Sequence, residues 1–277
     1  MDKKIDYGFE KINKEQDSGR LFYKLIKIME KLRSDEGCLW DIEQTHQSIK
    51  KNLIEEAYEA VESIESNNYS GLKEELGDIL LQVVFHSQIG VEDNEFDINE
   101  VLISVINKLI RRHPHVFGDK KVSSSSEVLA NWEDIKKKER KKSTKNTSIF
   151  ANIPKILPAL HYAFEIQNRA SRLGFDWNNA SGVIEKIKEE LNELNAELKT
   201  GNNKGLSDEL GDLLFSIVNL SRHLNIDSEK SLRDTCKKFI SRFDYMEKHA
   251  QEHNMDFPKL PLEEKDKLWE IAKKIYD

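Results

Sequence analysis

The stretches that decide the fold are LKEELGDILLQVVF at residues 72–85 and LSDELGDLLFSIV at residues 206–218. Each is apolar over most of a helical circumference, the pattern of a helix at the centre of a bundle. Each also carries a carboxylate pair, Glu75 with Asp78 and Glu209 with Asp212. A spacing of three residues puts both members on one helix face. The two stretches match in order and spacing, so the chain is read as containing the same helical unit twice.

Further segments recur in the same order. EEAYE at 55–59 and EELNE at 189–193 lie 134 positions apart, the offset that also separates EELGD at 74–78 from DELGD at 208–212. KLIRR at 108–112 is matched by KFISR at 238–242, and NWEDIKKK at 131–138 by LWEIAKK at 268–274. Four ordered matches at nearly constant offset are the mark of an internal repeat. The expected organisation is an N-terminal extension at 1–20, one domain at 21–140, a linker at 141–152 and a second domain at 153–277. The linker KKSTKNTSIFANIP at 141–154 is rich in Ser, Thr and Asn and lacks periodicity. The basic run 136–145 reads as a solvated helix end entering that linker.

Helical stripes fill both halves. Leu21, Leu25, Ile28, Met29 and Leu32 follow one, and Ile54, Ala57, Val61 and Ile64 another. Val101, Val105, Leu109 and Ile110 mark a helix that should stop near His113, because Pro114 disfavours a helical residue before it. Ile184, Ile187, Leu191 and Leu194 repeat the pattern, followed by 206–220, 232–243 and a last stripe at Leu268, Ile271 and Ile275. The 277 residues include only 12 Gly and 5 Pro. A β-rich fold needs more turns than these supply. The fold class is therefore all-α.

Composition excludes several functions. The charged N-terminus lacks the apolar core of a signal peptide, and no stretch reaches the ~18 apolar residues of a membrane span. Cys38 and Cys236 are far apart, which suits free thiols in a reducing cytosol better than a disulfide framework or a zinc site. A net charge of −7 disfavours non-specific binding to nucleic acid. The expectation is a cytoplasmic protein with neither nucleic acid nor membrane as partner.

The carboxylates carry the chemistry. Acid groups in oily helices are costly unless paired or bound to a metal. Four of them from two antiparallel helices make a hard oxygen site suited to Mg²⁺, with Mn²⁺ as a substitute. A di-iron bundle would instead use Glu-x-x-His motifs, whereas the partner three residues on is Asp78 or Asp212. Mg²⁺ held by carboxylates most often grips a polyphosphate. Cations for the remaining charge stand at Lys108 and Arg112 and again at Lys238 and Arg242, four residues apart in each case. Trp132 and Trp269 occupy matching positions, where an aromatic could pack in the core or stack on a base. Trp40 and Trp177 follow similar segments, GCLWD and GFDWN; they line the same pocket or cap the bundle.

EExxE followed by ExxD, with RRHPHVFG at 111–118 and NWEDIKKKE at 131–139 behind, resembles the MazG family of nucleoside triphosphate pyrophosphohydrolases. The resemblance spans nearly the whole chain from residue 20. It implies two tandem copies of a four-helix-bundle domain, a homodimer, and Mg²⁺-dependent conversion of nucleoside triphosphates to monophosphates and pyrophosphate. Carried over by motif, the metal ligands are Glu190, Glu193, Glu209 and Asp212 in the second copy and Glu56, Glu59, Glu75 and Asp78 in the first. Lys238, Arg242 and Trp269, with Lys108, Arg112 and Trp132 before them, match nucleotide-contacting positions. Glu189 or Glu190 would orient or deprotonate the attacking water. The second copy is expected to carry most of the activity. Leu39 departs from the family, which usually has Pro before that Trp. A non-catalytic nucleotide sensor and a narrower dUTP or phosphoribosyl-nucleotide pyrophosphatase are the rival readings.

Overall fold

A computed structural model describes residues 16–128, 131–132, 135, 139, 148–151 and 153–276. The expected N-terminal extension and linker lie largely outside the described residues, which omit 1–15, 141–147 and 152. Among the described residues the regular structure is all helical, with no strand. They divide into two compact units, with the boundary along the chain after Glu139.

In the first unit α1 (Ser18–Leu32), α2 (Leu39–Glu43), α3 (His46–Glu65), α4 (Tyr69–Glu92), α5 (Ile98–Arg112) and α6 (Pro114–Phe117) follow in order. Their starts are written in the sequence. Thr45 and Ser48 close a capping box on α3, and Asp97 and Glu100 close another on α5. Asn68 accepts a hydrogen bond from the Gly71 N–H to start α4. Helix α5 ends at Arg112, with Pro114 opening α6, as the sequence predicts. α3 and α4 pack side by side as a hairpin. α1 lies on the C-terminal half of α4, where Met29, Ile49, Val84, Phe85 and Ile89 form the core.

The second unit runs α7 (Ala159–Ser171), α8 (Ala180–Thr200), α9 (Asn203–His223), α10 (Ser228–Glu252) and α11 (Leu262–Ile275). The α8–α9 hairpin corresponds to α3–α4. Met246, Leu268 and Ala272 knit α10 to α11, with Trp269 packed against them. The hairpin turns correspond as well. Asn67 after α3 and Gly201 after α8 both adopt left-handed backbone, φ 56° and 68°, a conformation that Asn and Gly tolerate and bulky residues do not.

The sequence predicts that α4 and α9 are buried along their length. The structure corrects this. Only their C-terminal halves are covered, whereas Leu76, Leu80, Leu210 and Leu214 are exposed. Ile54, Tyr58 and Ile64 on α3, with Leu191 and Leu198 on α8, are exposed beside them. The physical reason is that α1 packs against the C-terminal half of α4 only. Among the described residues, the hairpin partner α3 leaves Leu76 and Leu80 exposed and no other helix covers them.

Arg33, just past α1, ties the first unit together. Its guanidinium donates three hydrogen bonds to the Glu92 carboxylate at the end of α4 and others to the Asp41 and Gln44 carbonyls. These Arg33 hydrogen bonds hold the Glu92 carboxyl below the ordinary glutamate range. Protonation of Glu92 therefore favours the unfolded chain. The pair's contribution is whole above the ordinary glutamate pKa and is lost as pH falls through the lowered one. Arg33→Met should cost the first unit about 1–3 kcal/mol at pH 7, with partial exposure of Glu92 limiting the loss. Urea titration should find that cost shrinking towards pH 3.

Candidate functional site

The two hairpins bring the acidic motifs together. Glu56 on α3 meets Glu75 and Asp78 on α4, each with a carboxylate oxygen within 4.8 Å of the others. Glu190 and Glu193 on α8 meet Glu209 on α9 within the same limit. The remaining expected ligands, Glu59 and Asp212, fall outside these mutual groups. Their charges are still felt, Glu59 at Glu56 and Glu75, and Asp212 at Glu209.

The expectation of buried acids needs a correction too. Glu190 is buried at 4% exposure, while Glu56, Glu75, Asp78 and Glu209 are only half-buried and Asp212 is exposed. Desolvation, followed by the charges of Asp78, Glu59 and Glu55, pushes the Glu56 carboxyl above its ordinary range. Desolvation and the surrounding carboxylates do the same at Glu75 and Glu209. Groups that resist ionising together are those a divalent cation would relieve. An all-oxygen donor set fits Mg²⁺ or Mn²⁺.

Glu189 and Glu190 share one partner. The Lys186 ammonium lies 2.8 Å from Glu189 Oε1 and 2.7 Å from Glu190 Oε1. Sequence reading missed Lys186, although its position three and four residues before those acids is the standard helical pairing distance. His86 lies outside both carboxylate groups. Its Nδ1 instead meets His46 Nδ1 at 2.7 Å.

The basic residues and tryptophans form a second repeated element. The Arg242 guanidinium lies over the Trp269 ring, 5.4 Å from its centroid. Arg112 lies over Trp132 at 5.8 Å. This is cation–π geometry, and it sets each guanidinium charge over a ring face. Arg112 is also gripped by Glu139, with Nη2 2.6 Å from Oε2, and Arg111 binds the other oxygen of the same carboxylate. Tyr276 stands at the corresponding place in the second copy. Lys108 and Lys238 are exposed.

Trp177 takes neither part. It lines a cavity of about 400 Å³ with Phe150, Phe175, Phe215 and Gln167, and none of the grouped carboxylates reaches that cavity. Trp40, on the short α2, is exposed.

A family model described as the MazG nucleotide pyrophosphohydrolase domain matches residues 44–117 and again 179–246. The chain belongs to the MazG family. Both matched segments contain a carboxylate group and a Lys–Arg pair, so the MazG unit is present twice. The nucleoside triphosphate pyrophosphohydrolase/pyrophosphatase MazG of Thermotoga maritima is 50% identical over 258 residues, covering 93% of this chain and 98% of its own. The nucleoside triphosphate pyrophosphohydrolase of Escherichia coli K12 is 39% identical over 254 residues, covering 91% and 96%. A protein of the same name from Mycolicibacterium smegmatis is 36% identical over 162 residues, covering 58% of this chain and 49% of its own. No described helix of this MazG chain is long and apolar enough to cross a membrane.

Proposed function

We propose that the chain hydrolyses nucleoside triphosphates to monophosphates and pyrophosphate, with broad base tolerance, as a cleaner of the nucleotide pool. The carrying observation is the carboxylate group built twice at the same hairpin position, inside both segments of the family match. The names of the relatives from T. maritima and E. coli support the same activity.

In this reading Glu190, Glu193, Glu209 and Asp212 hold Mg²⁺ in the second copy, and Glu56, Glu59, Glu75 and Asp78 hold it in the first. When bound, the ion supplies Lewis-acid polarisation of phosphoryl oxygens and lowers the pKa of a water. Glu189 or Glu190 orients and deprotonates the attacking water. Either must first leave Lys186. Lys238 and Arg242 neutralise charge developing on the pyrophosphate. Trp269 holds the Arg242 guanidinium over its ring and stacks on the base.

A homodimer belongs to the same proposal. The exposed apolar residues lie on the hairpin helices that carry the carboxylates, and a patch of that kind marks an association surface. The domain bounds proposed for function are 21–140 and 153–277, joined by the 141–152 linker, and the site of action is the cytoplasm.

Phosphorus NMR of a nucleoside triphosphate panel in oxygen-18 water tests the reaction. Mg²⁺-dependent release of pyrophosphate, with the label in one product, is the expected result. Tight binding without turnover across the panel would instead establish a sensor.

A further inference from the structure

Asn52 and Lys186 occupy the same register in the two copies, four residues before Glu56 and Glu190. The consequence is electrostatic. In the second copy the Lys186 ammonium sits 2.7 Å from Glu190, whose side chain is only 5% exposed. A buried carboxylate of this kind needs a partner, and Lys186 is that partner. In the first copy, among the described residues, no Lys or Arg comes within 4.0 Å of Glu56, Glu75 or Asp78. All three residues are half-buried.

We propose that Lys186 is a resident counter-ion that competes with divalent metal for Glu190, so the first copy, with Asn52 in its place, takes metal more tightly than the second. The inference rests on reading both groups as metal centres. An ion entering the second group must take Glu190 from an ammonium already within hydrogen-bond distance. It also meets that positive charge at short range, where like charges repel most strongly. An ion entering the first group meets no such ammonium among the described residues. Lysine suits the role because its ammonium rides a flexible four-carbon stem and can swing away without moving the helix. The two copies are thus built alike in their carboxylates but unlike in what holds those carboxylates before metal arrives.

The test is Mn²⁺ titration of the full chain, followed by electron paramagnetic resonance of free ion and by calorimetry. Two classes of site are expected. Glu75→Gln should remove the tighter class and Glu209→Gln the weaker one. Lys186→Asn should tighten the weaker class by roughly tenfold, the factor expected for one charge-assisted hydrogen bond in partial contact with solvent. Asn52→Lys should loosen the tighter class by a similar factor. The second substitution guards against misfolding of the first, since it adds a side chain at a half-buried position and strips no buried acid of its partner. A second copy that binds as tightly as the first, with neither substitution moving either class, would overturn the inference alone. Absence of bound Mn²⁺ from both copies would overturn it together with the metal reading beneath it.

Discussion

Glu209→Gln is expected to cut Mg²⁺-dependent pyrophosphate release by about a thousandfold, equivalent to about 4 kcal/mol of transition-state stabilisation. Far-ultraviolet circular dichroism of the variant should match the parent. The separation follows from where Glu209 sits. It is half-buried on α9 and grouped with Glu190 and Glu193. Desolvation and then the charges of Glu193, Glu190, Asp212 and Glu197 push its carboxyl upward. In the metal-free protein that charge is a burden, and a neutral amide of the same shape removes it. The melting temperature without metal should therefore hold or rise while catalysis collapses, the trade expected of a residue kept for chemistry rather than for stability. A retained rate would mean that the second copy is not the working site. Glu75→Gln puts the same question to the first copy, and on the family expectation it should leave most of the rate.

Arg242→Ala should lower kcat/KM for triphosphates by about a hundredfold or more, as loss of a charged donor at a transferring phosphoryl group does. Arg242→Lys should recover only part of it. Lysine keeps the charge but lacks the planar fork that grips two phosphate oxygens and lies flat on an indole. The guanidinium is held 5.4 Å from the Trp269 centroid, so its charge is placed over the ring before substrate arrives. Trp269→Phe should preserve more activity than Trp269→Ala, because the smaller ring still supports the guanidinium. Steady-state kinetics over a salt series decide the matter. Equal parameters for parent and alanine variant would remove Arg242 from the phosphate site.

Much of the fold is legible in the residues. The spacing of Leu21 through Leu32, the Asp97–Glu100 capping box and Pro114 all act locally, so the helices they define can be read without tertiary information. The fixed offset between the acidic motifs exposes the repeat, and the hairpin then delivers Glu56 to Glu75 and Asp78. What covers a helix is not local. Leu76 and Leu80 look like core residues because apolarity is visible in a sequence and a missing neighbour is not. Lys186 escaped notice for a different reason. A lysine one turn before a glutamate decorates many solvated helices, and only the burial of Glu190 distinguishes this one. The grip of Glu139 on Arg112 joins residues 27 positions apart on elements whose mutual placement the motifs do not specify.

The hairpin turns show how the twin halves have been free to drift. At the corner after α3 and after α8 an asparagine in one half answers a glycine in the other, so the letter changed within the narrow alphabet that a left-handed corner permits. One turn before the acids, an amide in one half answers an ammonium in the other, with the backbone indifferent to the exchange. Duplicated halves held to one shape by their corners can thus diverge in charge at little cost to architecture, and specialisation of one half over its sibling needs no new scaffold.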